Sequence, residues 1–368
     1  MNIKPEQLND GFYHLRADLE KYPEAIIYII WSFRGPGKTT SALWYMAEND
    51  KKFVYMKRTN DDVDFICGKT KMGDLSYDVS PFKTVNRIAD TKIRAHHIEK
   101  GFGGFYDTNE KGECYGNPIG YILSLNKVRS IKGADLSECE FVILDEFIPQ
   151  VHEIVRHKEG EALLEFVRTV GRDRVGRGLP PVKLILFANA EDISCPITQT
   201  LEVIDNMAEL SNSGKKWLYM NNRRILLHHI EKDEAPSMTD SYESDPLLRA
   251  MSGTAWAKKS YEGQFTNNDF SAVEKCNMKN MQLYLKVTYK KKDYYIYINE
   301  NNSLYYMTFS RSDQVPEGTY DLNKENDQKA FWIEECQSLR CDCIEGRMKF
   351  EKYSMYDLII NYKKYFKL

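Results

Sequence analysis

The sequence predicts an α/β protein built on a mostly parallel sheet, followed by a smaller α+β domain. The first domain is predicted because short, nearly continuous apolar runs alternate with helical stretches through residues 1–210. Such runs are typical of strands that helices cover on both faces. The second domain is predicted because several apolar runs after residue 271 follow one another with only short polar turns between them.

The predicted strands of the first domain are brief and rich in β-branched or aromatic residues. They are Ala25–Trp31, Phe53–Lys57, Tyr121–Leu125, Phe141–Leu144 and Lys183–Ala188. Helices are predicted between them, for example over Thr39–Glu48 and Glu161–Val170. The alternation of the two element types favours a layered α/β domain over residues 1–210.

Residues 211–270 are more polar and carry turn-forming residues, so they are predicted to form a linker or small lid. The remainder, 271–368, is predicted to form the second domain. Its predicted elements are three antiparallel strands and two helices, namely Met281–Tyr289, Asp293–Asn299, Ser303–Phe309, Asn323–Ser338 and Tyr353–Phe366.

Composition restricts the class of protein but does not point to a function. The 368 residues are 42% hydrophobic and carry a net charge of −3, which suits a globular chain without a global basic field. The longest apolar run is too short to span a bilayer, and the polar first ten residues predict no secretory signal. Eight scattered cysteines predict reduced thiols in a cytosol rather than a zinc site.

A glycine-rich loop follows the first predicted strand and precedes a helix. Residues 32–39 read Ser-Phe-Arg-Gly-Pro-Gly-Lys-Thr, which matches the phosphate-loop pattern except that Ser32 replaces the first glycine. Gly35 and Gly37 would turn backbone N–H groups toward phosphate, Lys38 would meet the β- and γ-phosphates, and Thr39 would hold Mg²⁺. The alternative is an ordinary glycine-rich turn before a helix. The residues predicted to bind ATP are Ser32, Arg34, Gly35, Pro36, Gly37, Lys38, Thr39 and Thr40.

Two carboxylates end the predicted strand Phe141–Leu144. A buried strand would bring Asp145 to the carboxyl edge of the sheet, where it suits a contact to Mg²⁺. Glu146 would then act as the general base that polarises the attacking water. The alternative is a strand that simply reaches solvent at two acids.

Polar and basic residues elsewhere complete the predicted site. Asn189 ends the strand Lys183–Ala188, where a polar residue can sense the γ-phosphate, although it could also be a strand-end turn residue. Arg172 and Arg174 follow the helix Glu161–Val170, and such arginines can act as fingers in a neighbouring subunit's site. A solvated basic loop is the alternative there, and Lys132 is a second candidate of the same kind.

Several blocks of the sequence resemble the DNA-packaging ATPases of the φ29-like phages and, more loosely, large terminase subunits. The blocks are Ser32–Thr39, Tyr55–Arg58, Ile143–Ile148, Thr169–Arg174, Ala188–Ala190, Ser252–Thr254 and Gln264–Phe265. Asp-Glu-Phe-Ile and the Arg-x-Arg block are the specific parts, whereas the phosphate loop is generic. Terminases often carry a non-glycine residue where Ser32 stands and an arginine inside the loop, as Arg34 is here.

The resemblance implies a P-loop ATPase domain with an added central strand and a second domain with a ribonuclease-H-like fold. It implies that ATP hydrolysis with Mg²⁺ drives double-stranded DNA into a preformed capsid. The expected partners are DNA, the capsid's portal and identical subunits in a ring, pentameric in this group; a packaging RNA is a further candidate, and no membrane is expected. The expected location is the host cytoplasm, docked on the prohead.

The resemblance also bears on individual residues. It implies that Arg172 is the trans-acting finger and that Lys132 is a second residue reaching across the subunit interface. A two-metal nuclease needs clustered carboxylates on its central strands. The strand Met281–Tyr289 has none, so a nuclease-like scaffold without nuclease chemistry is expected. Lysines 286 and 290–292 with Tyr284 and Tyr289 form either a basic aromatic patch or a solvated hairpin tip.

Three alternatives remain open at this point. A helicase or export ATPase would share the loop and the acidic pair but should lack the strand-rich second domain. A nucleotide switch that only scaffolds assembly would not need Glu146 beside Asp145. A terminase with a live nuclease is disfavoured by the acid-free strand.

Overall fold

The computed structural model describes residues 10–70, 73–74, 78–131, 134–150, 153, 155–189, 192–237, 245–254, 268 and 270–366. They form two compact units. The first draws on the described residues within Met1–Ile193 and Leu210–Thr266, and the second on those within Ser194–Glu209 and Asn267–Leu368. No helix in the described part of the chain combines the length and the apolar character needed to cross a bilayer.

The described strands of the first unit are spread along its whole sequence. They are β1 (Ile27–Ser32), β2 (Phe53–Lys57), β3 (Lys69–Thr70), β4 (Gly73–Asp74), β5 (Ile93–Glu99), β6 (Phe102–Thr108), β7 (Cys114–Ser124), β8 (Phe141–Leu144), β9 (Lys183–Asn189), β10 (Trp217–Met220) and β11 (Ile225–Ile230).

Helices alternate with these strands. They are α1 (Leu15–Lys21), α2 (Lys38–Glu48), α3 (Asn60–Ile66), α4 (Phe82–Ala89), α5 (Glu159–Val170), α6 (Pro196–Leu201), α7 (Ile204–Ser213) and α8 (Pro246–Ala250). Helices α6 and most of α7 belong to the second unit.

Among the described residues, nine strands form one sheet in the order β10-β11-β1-β9-β8-β2-β7-β6-β5. The six strands from β11 to β7 are parallel to their neighbours. The antiparallel pairings lie outside them, at β10 on one side and at β6 and β5 on the other. The predicted parallel sheet is therefore confirmed, together with the strand β9 between β1 and β8.

Burial explains why these segments are strands. All four residues of β8 are buried, as are five of the six in β1, because both faces of a parallel sheet are covered by helices. An aromatic cluster packs on one face, with the rings of Phe82 and Phe105 centred 4.8 Å apart. β2 and β8 have the predicted bounds, while β7 begins seven residues earlier than predicted.

The predicted linker or lid over 211–270 is wrong for its first part. β10 and β11 join the main sheet there, and β11 lies between β10 and β1 with five of its six residues buried. The polar stretches at 211–216 and 221–224 gave this segment the composition of a linker. Its apolar runs nevertheless form strands: β11 pairs with β1 and is buried, whereas β10 pairs with β11 at the edge of the sheet and is half-buried.

The second unit contains a smaller sheet of five described strands in the order β15-β12-β13-β14-β16. The strands are β12 (Gln282–Tyr289), β13 (Lys292–Asn299), β14 (Leu304–Thr308), β15 (Gly318–Asp321) and β16 (Met348–Phe350). The first three form the predicted antiparallel meander, while β15 and β16 pair in parallel with β12 and β14.

The helices of this unit also differ in detail from the prediction. They are α9 (Glu325–Phe331), a π-helical segment (Trp332–Cys336), α10 (Gln337–Ile344), α11 (Tyr353–Ile360) and α12 (Tyr362–Tyr365). The predicted helix Asn323–Ser338 thus continues to Ile344, and the last predicted helix is divided at Asn361. The predicted α+β character is confirmed.

The segment 194–209 was predicted within the first domain but packs with the second unit. The Ser194 hydroxyl donates to Asp357 Oδ2 at 2.5 Å, and Asp357 is fully buried. Asp205 accepts hydrogen bonds from the backbone N–H and the hydroxyl of Ser354, at 2.7 and 2.8 Å. These bonds join residues about 150 positions apart, which local sequence patterns do not reveal.

Candidate active site

Four adjacent strands bring the predicted site together. β1, β9, β8 and β2 are neighbours and all parallel, so their carboxyl ends lie along one edge of the sheet. In this register Ser32 at the end of β1 pairs with Asn189 at the end of β9. The phosphate loop, the acidic pair and Asn189 therefore meet at one edge, as the sequence predicts.

The loop between β1 and α2 depends on two glycines. Gly35 and Gly37 have φ values of 88° and 96°, in the left-handed region that residues with side chains rarely adopt. Gly37 is also the residue that precedes α2, so the unpaired N–H groups of the first helical turn point toward the loop. This geometry suits an anion. Pro36 is buried, Arg34 is exposed and Thr40 is half-buried on α2.

Lys38 is buried at the centre of the loop. Its ammonium donates to Ser32 Oγ at 2.5 Å and to Asn189 Oδ1 at 3.3 Å. Burial lowers the pKa of Lys38 to about 8, although the charges of Asp145 and Glu146 oppose that shift. Ser32 therefore has a defined contact where the general pattern has glycine: its hydroxyl accepts from the lysine that would meet phosphate.

Thr39 and Asp145 supply oxygen atoms side by side. The Thr39 hydroxyl lies 3.1 Å from Asp145 Oδ2. A hydroxyl and a carboxylate on adjoining elements are the protein ligands that Mg²⁺ takes when a nucleotide's phosphates complete its coordination. The two residues therefore fit a magnesium ion held together with bound nucleotide.

Asp145 is buried within a dense set of hydrogen bonds. Tyr55 donates to Asp145 Oδ2 at 2.7 Å, and the Lys57 ammonium lies 3.1 Å from the same oxygen. Burial by itself would raise the pKa of Asp145, but Lys57 and the hydrogen bonds from Tyr55, Lys57 and Thr39 hold it below its usual range. Asp145 is thus an ionised carboxylate at neutral pH.

Glu146 is placed differently from its neighbour. Its side chain is 48% exposed, and its carboxylate lies 2.8 Å from Lys57 Nζ. Its φ is +56°, an uncommon conformation for a residue other than glycine. Burial would lower the pKa of Lys57, but Asp145 and Glu146 outweigh burial and raise it. One half-buried lysine therefore pairs with both acids.

The three basic candidates have different environments. Arg172 is exposed, and its guanidinium has no hydrogen-bond or ion-pair partner within the described part of the chain. Arg174 is buried and donates to the carbonyl oxygens of Pro180 and Ser137 at 3.0 and 2.7 Å. The guanidinium of Arg174 is thus bound by carbonyl groups of its own chain. Lys132 lies outside the described residues, as do Ala190, Gln264 and Phe265.

Sequence reasoning did not assign Tyr55 and Lys57 to the site. Both residues entered the sequence analysis only as part of the block Tyr55–Arg58, which resembles the packaging ATPases. Their position in the second half of β2 is the signal that could have found them, because β2 pairs with β8 so that Met56 lies opposite Leu144. The N-terminal segment was also missed: Tyr13 N–H donates to Pro36 O at 2.9 Å, which braces the loop.

The lysines near the β12–β13 turn are paired within the chain. Lys286 lies 2.9 Å from Asp293, and Lys292 lies 2.9 Å from Glu202. Lys290 donates to the Gln199 carbonyl at 3.2 Å. Three of the four lysines in the predicted basic patch therefore hold other parts of the second unit.

The middle of the sequence matches a known protein family. Residues 109–335, more than half of the chain, match the family described as Podovirus DNA encapsidation protein (Gp16). The chain belongs to this family. The match includes the acidic pair, Arg172 and Asn189, and it begins downstream of the phosphate loop. In this Gp16-family chain, the assignment of residues 32–39 as a phosphate loop therefore rests on the geometry of the loop and not on the family match.

Two solved structures share the fold over almost the full length of the Gp16-family chain. One, the bacteriophage Phi-29 viral genome packaging motor assembly, has a TM-score of 0.64 at 15% identity, covering 97% of this chain and 100% of that one. The other, the Phi-28 gp11 DNA packaging motor, has a TM-score of 0.59 at 16% identity, covering 98% and 99%. No curated protein sequence matches this chain.

Family membership and fold confirm several predictions. The predicted resemblance to phage packaging ATPases is confirmed, as is the α/β fold with its large parallel sheet. The predicted function class, encapsidation of viral DNA, is that of the Gp16 family. The roles of individual residues remain predictions.

Proposed function

We propose that this chain is an ATP-hydrolysing motor that moves double-stranded viral DNA into a preformed capsid. The observation that carries the proposal is the convergence of Lys38, Thr39, Asp145, Glu146 and Asn189 at one edge of the sheet. Family membership supports the substrate, since Gp16 proteins are DNA encapsidation proteins.

ATP binds with its phosphates in the loop between β1 and α2. The backbone N–H groups that Gly35 and Gly37 turn inward hold the β-phosphate, and Lys38 contacts the β- and γ-oxygens. Thr39 and Asp145 would hold Mg²⁺, which would neutralise phosphate charge. Bound phosphate offers Lys38 a partner stronger than the Ser32 hydroxyl that it contacts at 2.5 Å.

Glu146 acts as the general base. Its carboxylate takes a proton from water as the water oxygen attacks the γ-phosphorus, while the bond from that phosphorus to the β–γ bridging oxygen breaks and ADP leaves. The half-exposed Glu146 side chain can reach a water molecule, whereas buried Asp145 is occupied by Thr39, Tyr55 and Lys57. Asn189 Oδ1 accepts a hydrogen bond from Lys38 at 3.3 Å, which supports a role for Asn189 in sensing the γ-phosphate.

Arg172 completes the site of the neighbouring subunit. Its exposed guanidinium, which is unpaired within the described part of its own chain, suits a residue that acts in trans. Lys132 is the second candidate. A finger of this kind requires a neighbouring identical subunit. We propose that the subunits form a closed ring, a pentamer docked on the portal of the prohead in the host cytoplasm. A packaging RNA is a further proposed partner.

Hydrolysis shifts the surfaces that grip DNA along its phosphate backbone. Backbone contacts suit this task, because packaging must tolerate every sequence. The second unit serves as a scaffold for docking rather than as a nuclease, and the pairing of its lysines with Asp293, Glu202 and Gln199 supports a structural role for the β12–β13 turn.

Protection of DNA from nuclease tests the proposal. Purified chain, proheads, double-stranded DNA and ATP are combined, nuclease is added, and the length of protected DNA is measured. Protection should require both proheads and hydrolysable ATP and should disappear with Lys38→Ala. ATP hydrolysis that DNA stimulates, without prohead-dependent protection, would instead indicate a helicase or another translocase.

A further inference from the structure

The main chain turns sharply at the residue that we propose as the general base. Glu146 has a left-handed φ of +56°, which persists in a non-glycine residue only where the surroundings hold it. On either side, Asp145 N–H donates to Met56 O at 3.1 Å and Phe147 N–H donates to Phe187 O at 2.9 Å. The two flanking residues thus remain tied to β2 and β9, while Glu146 itself leaves the sheet.

A single guanidinium binds the carbonyl groups of this turn. Arg58 Nη2 donates to Glu146 O at 3.2 Å and to Phe147 O at 2.7 Å. Arg58 is only 5% exposed and directly follows β2. The planar guanidinium presents several donors in fixed directions, so it can hold two successive carbonyls in one arrangement.

Arg58 is itself held from its other side by two carboxylates. Its Nε lies 3.1 Å from Glu153 Oε2, and its Nη1 donates to Glu159, which is 4% exposed. Glu159 is the first residue of α5, whose carboxyl end precedes Arg172. Burial of an ion pair costs desolvation, so such a pair adds little stability unless its hydrogen bonds are well satisfied. Here the two carboxylates and the two carbonyl groups together hold the Arg58 guanidinium in one orientation.

We propose that Arg58 is a positioning residue for Glu146. It holds the Glu146 main chain in the left-handed conformation that presents the carboxylate at the carboxyl edge of the sheet, and Glu159 holds Arg58 in turn. The inference rests on the proposed function of Glu146 as the base. The described contacts of the Arg58 guanidinium are to the two carbonyls of this turn, Glu153 and Glu159, so its proposed effect on hydrolysis runs through Glu146.

A double-mutant cycle tests this dependence. Arg58→Lys keeps the positive charge beside Glu159 but loses the fork that reaches both carbonyls. Since misplacing a catalytic group by about 1 Å can cost about 10²-fold, we expect kcat to fall about tenfold to about a hundredfold, with nucleotide affinity little changed. In the Glu146→Gln background, which has no base to position, Arg58→Lys should lower kcat by less than about twofold.

The kinetic readout is single-turnover ATP hydrolysis by the full-length chain, with nucleotide affinity and thermal midpoint measured for each variant. Losses that multiply in the double variant would overturn the inference, because Arg58 would then act independently of Glu146. If Glu146→Gln alone hydrolyses ATP normally, the proposed role of Glu146 fails instead. The two failures are therefore distinguishable.

Two further variants complete the design. Glu159→Gln leaves Arg58 in place without its buried charged partner. It should lower kcat by less than Arg58→Lys does, and this effect should also shrink in the Glu146→Gln background. It carries the test if Arg58→Lys does not fold. Glu140→Gln is the matched control, because it breaks the Lys51–Glu140 pair in the same unit without touching the turn. Its kcat should equal that of the unsubstituted chain.

Discussion

The two sheets of this protein use the same charged residue types with different results. At the carboxyl edge of the first sheet, Lys57 pairs with both Asp145 and Glu146, and Lys38 lies next to Asn189. In the second sheet, Lys286 and Lys292 each pair with one carboxylate. Parallel strands gather the carboxyl ends of distant segments at one edge, whereas antiparallel strands place successive ends at opposite edges. The direction of the strands, rather than the residue composition, therefore decides whether charged side chains gather into a candidate site or stay on a solvated surface.

The largest effect is expected at the centre of the first edge. Lys38→Ala should abolish ATP turnover while leaving the fold intact, because no neighbouring side chain can replace its charge on the phosphates. Phosphate release measures this. Lys51→Ala is the matched control, since Lys51 pairs with Glu140 in the same unit. Near-normal hydrolysis by Lys38→Ala would remove the loop from the active site.

Loss of Arg172 should cost about 10³-fold or more in hydrolysis, the effect of removing a finger. Single variants cannot tell a cis residue from a trans one, but mixtures can. When Glu146→Gln subunits are mixed with Arg172→Ala subunits, some interfaces combine an intact base with an intact arginine. Those interfaces should regain activity.

The mixture needs two controls. Co-assembly of the two variants must be verified. Arg177→Ala, a substitution in the same exposed loop, should hydrolyse ATP at nearly the rate of the unsubstituted chain. Mixed rings that stay inactive would exclude a trans role for Arg172. Lys132 would then be the next residue to test, since buried Arg174 is occupied by carbonyl oxygens of its own chain.

Glu146→Gln should bind ATP but hydrolyse it at least about 10²-fold more slowly, because glutamine keeps the shape and loses the base. Nucleotide affinity and single-turnover rates separate binding from chemistry. Asp145→Asn sharpens the comparison, since it should weaken magnesium-dependent binding. If Asp145→Asn stops hydrolysis and Glu146→Gln does not, the two acids have been assigned the wrong way round.

Affinity for ATP should fall as the pH rises above about 8. Burial lowers the pKa of Lys38 to about 8, so the residue is charged below that pH and loses its proton above it. We expect up to about a tenfold loss of affinity per pH unit, the limit for one proton. Titration of nucleotide binding from about pH 6.5 to 9.5 measures this. Lys38→Arg should flatten the dependence, because arginine stays charged; an equally steep fall would exclude Lys38 as the cause.

The smallest effect is expected from the second unit, where no DNA cleavage should occur with Mg²⁺ or Mn²⁺. β12 has no Asp or Glu, and Asp293, the second residue of β13, contacts Thr288 and Lys286. The readout is the integrity of supercoiled plasmid incubated with the full-length chain. Cleavage that persists through purification and disappears with Asp293→Ala would show a live nuclease.

The sequence by itself determined the elements and the main residues of the candidate site. β1, α2, β8 and β9 were predicted to within two residues, because continuous apolar runs and glycine signals are local. The same locality placed Lys38 and Thr39 in the loop and helix that follow β1, and Asp145 and Asn189 at the ends of β8 and β9, where a parallel sheet brings them together.

Only the tertiary structure decided which strands are neighbours and which distant side chains meet. β2 lies beside β8, so Lys57 bridges two acids that are 88 and 89 residues away. Arg58 and Glu159 are 101 residues apart. β11 joins β1 despite the polar turns before it, and segment 194–209 packs with the second unit. Hydrophobic periodicity specifies local structure, but strand order and long-range ion pairs depend on how the elements pack, which a local pattern does not encode.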